Sequence, residues 1–334
     1  MKARIFADEN RKWWTLGALS FALFMIMLDN TVVNVALPSI QRDLGIGLSE
    51  LEWTVNAYAL TFAVLMLTGG KLADFFGRRR IFLIGLVTFT ISSLACGLAA
   101  TGGTLIGART LQGIGAALML PATLSIISAT FPAHQRGMAI GIWAGVSAMA
   151  LAIGPLIGGL ITEHINWSWI FFVNVPIGVL GLIVGRLVIK ESRDTSAEQR
   201  LDFPGLLASA IGLFALTFAL IEANSYGWTD PMIIGLFVLS AVSLAAFVLL
   251  ELHQRSPMLD LSLFRSSTFA GANVVALLVT LAMFGVFFFM SIYMQNILGY
   301  SATKTGAAFL PMTILLILIA PISGKASDRI GPRA

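Results

Sequence analysis

Apolar runs close to the ~20 residues that a helix needs to cross a bilayer recur from one end of this chain to the other. In hydrocarbon every backbone N–H and C=O must find its partner within the protein, so such runs are expected as α-helices. Charge agrees: 11% of the 334 residues are charged and 57% are hydrophobic, against ~25% charged in ordinary soluble domains. The expectation is an all-α polytopic membrane protein with ten spans, near residues 13–36, 53–71, 80–99, 104–129, 138–161, 167–189, 203–222, 231–251, 270–292 and 306–323. The start, MKARIFADENRKWW, is basic like the front of a signal peptide. The apolar run after it is long, ends in no A-x-A site and is followed by further spans, so it reads as an uncleaved first span.

Charge also orients the spans. An even number places both termini on one side, and of the 21 Lys and Arg all but Arg42, Lys304 and the intramembrane Arg109 fall on or near that side. By the positive-inside rule it is cytoplasmic, in the cell's inner membrane. The same placement accounts for the net charge of +4 without nucleic acid. A lone cysteine, Cys96, excludes a disulfide framework and a CxxC metal site. No G-x-x-x-x-G-K-[ST] nucleotide loop is present. His134, His164 and His253 fall at loops or span ends rather than together at one depth, which disfavours an intramembrane enzyme. No cofactor and no metal are expected. The trytophan-rich span ends, with Trp13, Trp14, Trp53, Trp167 and Trp169, read as interfacial anchors.

Within 23-LFMIMLDNTVVNVALP-38 lies one carboxylate, Asp29, and within 105-LIGARTLQGIGAA-117 one guanidinium, Arg109. Ionisable groups at such depths are costly unless they face a cavity or a partner. At a rise of ~1.5 Å per residue, Asp29 lies roughly 10 Å below the outer end of its span and Arg109 roughly 8 Å below the outer end of its own. The two are therefore expected to share a depth and line one cavity. Snorkelling of Arg109 to the outer interface is the competing reading. Asn34, Asn56, Tyr58 and Gln112 are candidates for the same cavity or for plain interhelical hydrogen bonds.

In 70-GKLADFFGRRR-80, Gly77 permits a tight turn and Arg78, Arg79 and Arg80 hold the loop on the positive side. Asp74 sits near a helix C-terminus, where the dipole disfavours an anion, so it needs a partner or solvent. Residues 324-GKASDRIGPR-333 align with this segment without gaps, matching Gly, Lys, Asp, Gly and Arg. Eight expected spans separate the two copies. Duplication of a six-span unit would place them six apart, so two further spans, 203–222 and 231–251, are expected to be inserted between the halves. In 141-GIWAGVSAMALAIGPLIGG-159, Gly141, Gly154, Pro155 and Gly158 remove bulk and break a helical hydrogen bond, so close packing of a kinked helix is expected.

With these segments and 28-LDNTVVNVALPSI-40, the chain resembles the major facilitator superfamily, in particular its 14-span drug:proton antiporters. The resemblance implies an N-terminal six-helix bundle over 1–190, a cytoplasmic linker over 191–202, two inserted spans over 203–254, and over 255–334 the first two spans of a C-terminal bundle. It implies export of amphipathic or cationic small molecules against inward-moving protons, with Asp29 and Arg109 in proton coupling. It makes Gly70, Asp74, Gly77, Arg78 and Arg79 parts of a cytoplasmic gate, with Asp74 docking on the other half of the bundle, and Gly141, Gly154, Pro155 and Gly158 an antiporter signature. Phe75 stands where the family has a basic residue, and Ala150 where it has a glycine. Small molecule, protons and lipid bilayer are the partners implied; a protein partner is unknown. Since the second half holds only its first two spans by this count, a transport-inactive fragment is the alternative, as is an exporter of one metabolite.

Overall fold

The first helix, α1 (Asp8–Leu44), is longer than its apolar stretch. Its 37 residues rise roughly 55 Å, well beyond the ~30 Å hydrocarbon core. The sequence placed its end near Ala36; the helix instead runs on through LPSIQRDL. Tertiary contacts hold the extension: Val33, Ala36 and Ile40 are buried, and Trp167 Nε1 donates to the Asp43 carboxylate at 2.7 Å. This computed structural model describes residues 8–193, 202–254, 261–312, 314, 315, 318, 319, 322 and 323. Within them the chain continues as α2 (Leu48–Phe76), α3 (Arg78–Gly97), α4 (Gly102–Thr130), α5 (Ala133–His164), α6 (Trp169–Phe172), α7 (Asn174–Val188), α8 (Phe203–Tyr226), α9 (Pro231–His253), α10 (Ser267–Ile292) and α11 (Ala302–Ala308).

Among the described residues there is no strand, and eight helical stretches are long and apolar enough to cross a membrane, with α6 and α7 counted together. They correspond to the first eight expected spans. The ninth falls on α10. The tenth begins on α11 and is described only in part, while the second motif copy at 324–333, the linker from 194 to 201 and the segment 255–260 lie outside the described residues. One expected span is split: α6 and α7 meet at Val173. Pro176 follows in the first turn of α7, where its missing N–H costs no helical bond.

Two compact units result, one built on residues 1–195 and 306–334, the other on 196–305. In the first, α4 packs along both α2 and α3, α1 along α5, and α7 against α3 and α1. Small residues make these approaches possible. A Cβ at Gly113 of α4 would meet the Tyr58 carbonyl of α2 at 2.6 Å, and one at Gly158 of α5 would stand 3.0 Å from the Val32 backbone of α1. Gly154 faces Thr31 of α1 still more closely. The Gly154 and Gly158 face of α5 is therefore what lets it lie on α1, with Pro155 carried inside the same helix.

Two apolar clusters fill this unit. One holds Met25 and Ile26 of α1 with Phe82, Phe89, Ala116 and Met119; the other holds Leu28, Val32 and Val33 of α1 with Leu105, Ala108 and Phe171. Helix α1 crosses from one to the other between Ile26 and Leu28, next to Asp29, and α4 crosses between Ala108 and Ala116. In the second unit α8 and α9 form a hairpin about Ala219, Ala223 and Ile233. Asp202 caps α8 by accepting from the Gly205 N–H at 2.8 Å, and Asp230 caps α9 by accepting from the Met232 N–H at 2.8 Å.

The packing role of Gly113 is checked by substitution. Gly113→Ala should lower the melting temperature of the detergent-solubilised protein, by overpacking of ~1–3 kcal/mol. Gly107→Ala on the same helix, where a Cβ meets nothing within 4 Å, should leave it equal or higher.

Candidate functional site

Where the two clusters meet, a set of polar side chains is turned inward. Asp29 is 0% and Arg109 1% exposed. Arg109 donates through Nη1 to Asp29 Oδ2 at 2.5 Å and to Gln112 Oε1 at 2.7 Å, and through Nε to the Thr54 carbonyl at 3.0 Å. Its guanidinium carbon also lies 4.2 Å from the centre of the Tyr58 ring, a cation–π contact in a desolvated setting. The second carboxylate oxygen, Oδ1, accepts from Gln112 Nε2 at 2.9 Å and from Asn174 Nδ2 at 3.2 Å. Ser93 Oγ accepts from both amides, at 3.2 Å from Gln112 and 2.9 Å from Asn174, and donates to the Phe171 carbonyl at 3.1 Å. Asn174 Oδ1 is buried without a hydrogen-bond partner.

Each member is delivered by helical register. Arg109 and Gln112 stand three residues apart and so share a face of α4. Asn174 is aimed into the bundle by the break between α6 and α7, which starts a new helix at that residue. The ion pair thus joins α1, α2, α3, α4 and α7 at one point.

A second arrangement of charge surrounds the glycine turn between α2 and α3. Gly77 has φ 111°, a conformation that L side chains rarely adopt. Asp74 pairs with Arg78 across this turn, at 2.8 Å. Glu191, just after α7, accepts from the N–H groups of Arg79 at 3.0 Å and Arg80 at 3.2 Å, so its carboxylate caps the start of α3.

A family model described as the Major Facilitator Superfamily matches residues 19–334. The chain belongs to the Major Facilitator Superfamily. Relatives include the tetracenomycin C resistance and export protein of Streptomyces glaucescens, 37% identical over 97% of this chain and 60% of the relative. The puromycin resistance protein of Streptomyces alboniger is 41% identical over 97% and 65%, and a multidrug resistance protein of Mycobacterium tuberculosis is 39% identical over 96% and 59%. The chain thus spans about 60% of the length of these curated relatives. Among solved structures, a proton:xylose symporter of the superfamily has the same fold at a TM-score of 0.64 and 15% identity, covering 97% of this chain and 70% of that one.

In this member of the superfamily, the charges expected to share a depth touch directly. Asp29 and Arg109 form a closed pair rather than the lining of an open cavity, and at 1% exposure Arg109 does not snorkel. Tyr58 and Gln112 belong to the pair's surroundings. Asn34 does not: it is exposed and bonds the Asn30 carbonyl of its own helix. Asn56 is half-buried and takes no part in these hydrogen bonds. Asp74 and Arg78 meet one another, Gly70 lies against Pro121 of α4, and Arg79 donates to the Ile189 carbonyl at 3.3 Å. Gly141 is half-buried on α5.

Ser93, Asn174, Thr54 and Glu191 escaped the sequence reading. Ser93 looks like one more small packing residue, Thr54 contributes only its carbonyl, and Glu191 lies in a charged linker. Asn174 alone left a signal, an amide inside an apolar run two residues before a proline.

Removing one charge strands the other. Arg109→Gln and Asp29→Asn should each destabilise the solubilised protein by ~3–5 kcal/mol. The double variant should recover much of that loss, read as non-additivity in a double-mutant cycle of unfolding free energies.

Proposed function

We propose that this chain is part of a proton-coupled secondary exporter of amphipathic or cationic small molecules in the cytoplasmic membrane. The observation that carries the proposal is the buried Asp29–Arg109 pair, held by Gln112, Asn174 and Ser93. A carboxylate in apolar surroundings is stable as an anion while a guanidinium compensates it; separated from the cation, it takes up a proton. A conformational change that moves α1 relative to α4 therefore exchanges a cation for a proton on Asp29. The amide of Asn174 suits both states. Its Nδ2 serves the carboxylate, and rotation by half a turn presents the unpartnered Oδ1 to a protonated acid.

Names of the relatives support the substrate class. One is called a resistance and export protein for tetracenomycin C, one a resistance protein for puromycin and one a multidrug resistance protein. The driving force needs no nucleotide: ~2.3 kcal/mol is available per charge per 100 mV of membrane potential. With the positive charges inside, both ends of the described bundle and the Gly77 turn face the cytoplasm. The Asp74–Arg78 pair is then a cytoplasmic gate element, and the Gly154–Gly158 face of α5 the close-packed seam on which α1 moves.

Transport in everted membrane vesicles decides the matter. Wild-type vesicles should take up puromycin when acidified inside by respiration and lose it when the pH gradient is collapsed. Asp29→Asn should abolish gradient-driven uptake, and undiminished coupled uptake by that variant would sink the assignment.

A further inference from the structure

Outside the bundle's interior, residues of α3 and α7 line a groove of about 740 Å³, within the ~300–1,000 Å³ range of small-molecule sites. Its two ends differ in chemistry. At the Gly77 end stand Arg79, Arg80 and Arg186; further along, the walls are Ile84, Val87 and Leu182. Ile84 and Val87 are 45% and 39% exposed, on an outer face of a helix that belongs in lipid. From Arg79 to Thr88, the length of groove wall on α3, the helix rises roughly 14 Å. That is about one leaflet, half of the ~30 Å hydrocarbon core.

The one acid among the groove's lining residues, Glu191, is bonded to main-chain donors rather than to an arginine side chain. Glu191 directs Oε1 to the Arg79 N–H and Oε2 to the Arg80 N–H, with the Ser192 N–H also on Oε1 at 3.1 Å. Both carboxylate oxygens are thus occupied by main-chain donors. Arg79 gives one guanidinium bond to the Ile189 carbonyl, while Arg80 and Arg186 are exposed and line the groove.

We propose that this groove is a binding site for an anionic glycerophospholipid, its phosphate against Arg80, Arg186 and Arg79 and one acyl chain along Ile84, Val87 and Leu182. Basic pockets between spanning helices, at the headgroup level of a leaflet, bind acidic headgroups in this way. The apolar trough below the arginines selects a lipid over a free phosphate, since an inorganic anion leaves it empty.

Native mass spectrometry of the delipidated full chain, titrated with palmitoyl-oleoyl phosphatidylglycerol or phosphatidylcholine, tests this. Wild type should retain phosphatidylglycerol in preference to phosphatidylcholine. Arg80→Gln/Arg186→Gln should weaken phosphatidylglycerol binding roughly thirty-fold, from the usual contribution of two basic residues at an anionic surface. Arg42→Gln, at the other end of α1, should not. Both arginines are exposed, so an unchanged melting temperature accompanies the loss. Leu182→Trp, filling the trough and leaving the arginines in place, should also weaken phosphatidylglycerol binding. Equal retention by wild type and the double arginine variant overturns the proposal, as does displacement of the lipid by excess inorganic phosphate, which identifies a free-anion site instead.

Discussion

The interaction on which the rest of this bundle depends is an ion pair in a place where either charge alone would be prohibitive. Asp29 and Arg109 have almost no exposure, and the desolvation of two such charges is offset only if their geometry is good and their remaining polar atoms are satisfied. Here the carboxylate accepts three side-chain hydrogen bonds, and the guanidinium reaches a carbonyl, an amide and an aromatic face besides. Those groups come from four helices, and Ser93, which accepts from Gln112 and Asn174, adds α3 as a fifth. Satisfying one charge pair therefore dictates how α1, α2, α3, α4 and α7 are rotated about their axes, and the apolar clusters on either side follow that registration.

Such a pair contributes little net stability compared with apolar residues of the same shape. Its presence inside a membrane bundle is accordingly what the proposed function rests on. The proposed exchange draws on the same property that makes the pair costly. In a low-dielectric interior the energy of each charge depends strongly on the position of the other, so a small relative movement of the two helices is costly unless the charges stay paired.

Charge at the Gly77 turn works differently because water reaches it. The Asp74–Arg78 pair is partly exposed, and pairs of that kind are worth ~0–1 kcal/mol. Glu191 contributes more to the local architecture: its carboxylate caps α3 and ties the end of α7 to the turn through main-chain donors. A single acidic residue thereby fixes the position of a basic cluster in which the three groove arginines outnumber it.

Sequence by itself determined the helical, membrane-spanning class, the superfamily resemblance and the two most unusual residues, because long apolar runs admit one secondary structure in hydrocarbon and charges within them are rare enough to stand out. Estimated depths alone placed Asp29 and Arg109 at a similar level. Only the tertiary structure decided that they touch, that Gln112 joins them while Asn34 and Asn56 do not, and that Ser93 and Asn174 complete the set. It also decided that Trp167, expected as an interfacial anchor, is buried and bonded to Asp43, and that α1 outlasts its apolar stretch. The physical reason is the same in each case. Depth and apolarity are written along the chain, residue by residue, whereas the direction a polar side chain faces depends on how each helix is rotated against its neighbours, and that rotation is set by small-residue contacts such as Gly113 and Gly158 between segments far apart in sequence.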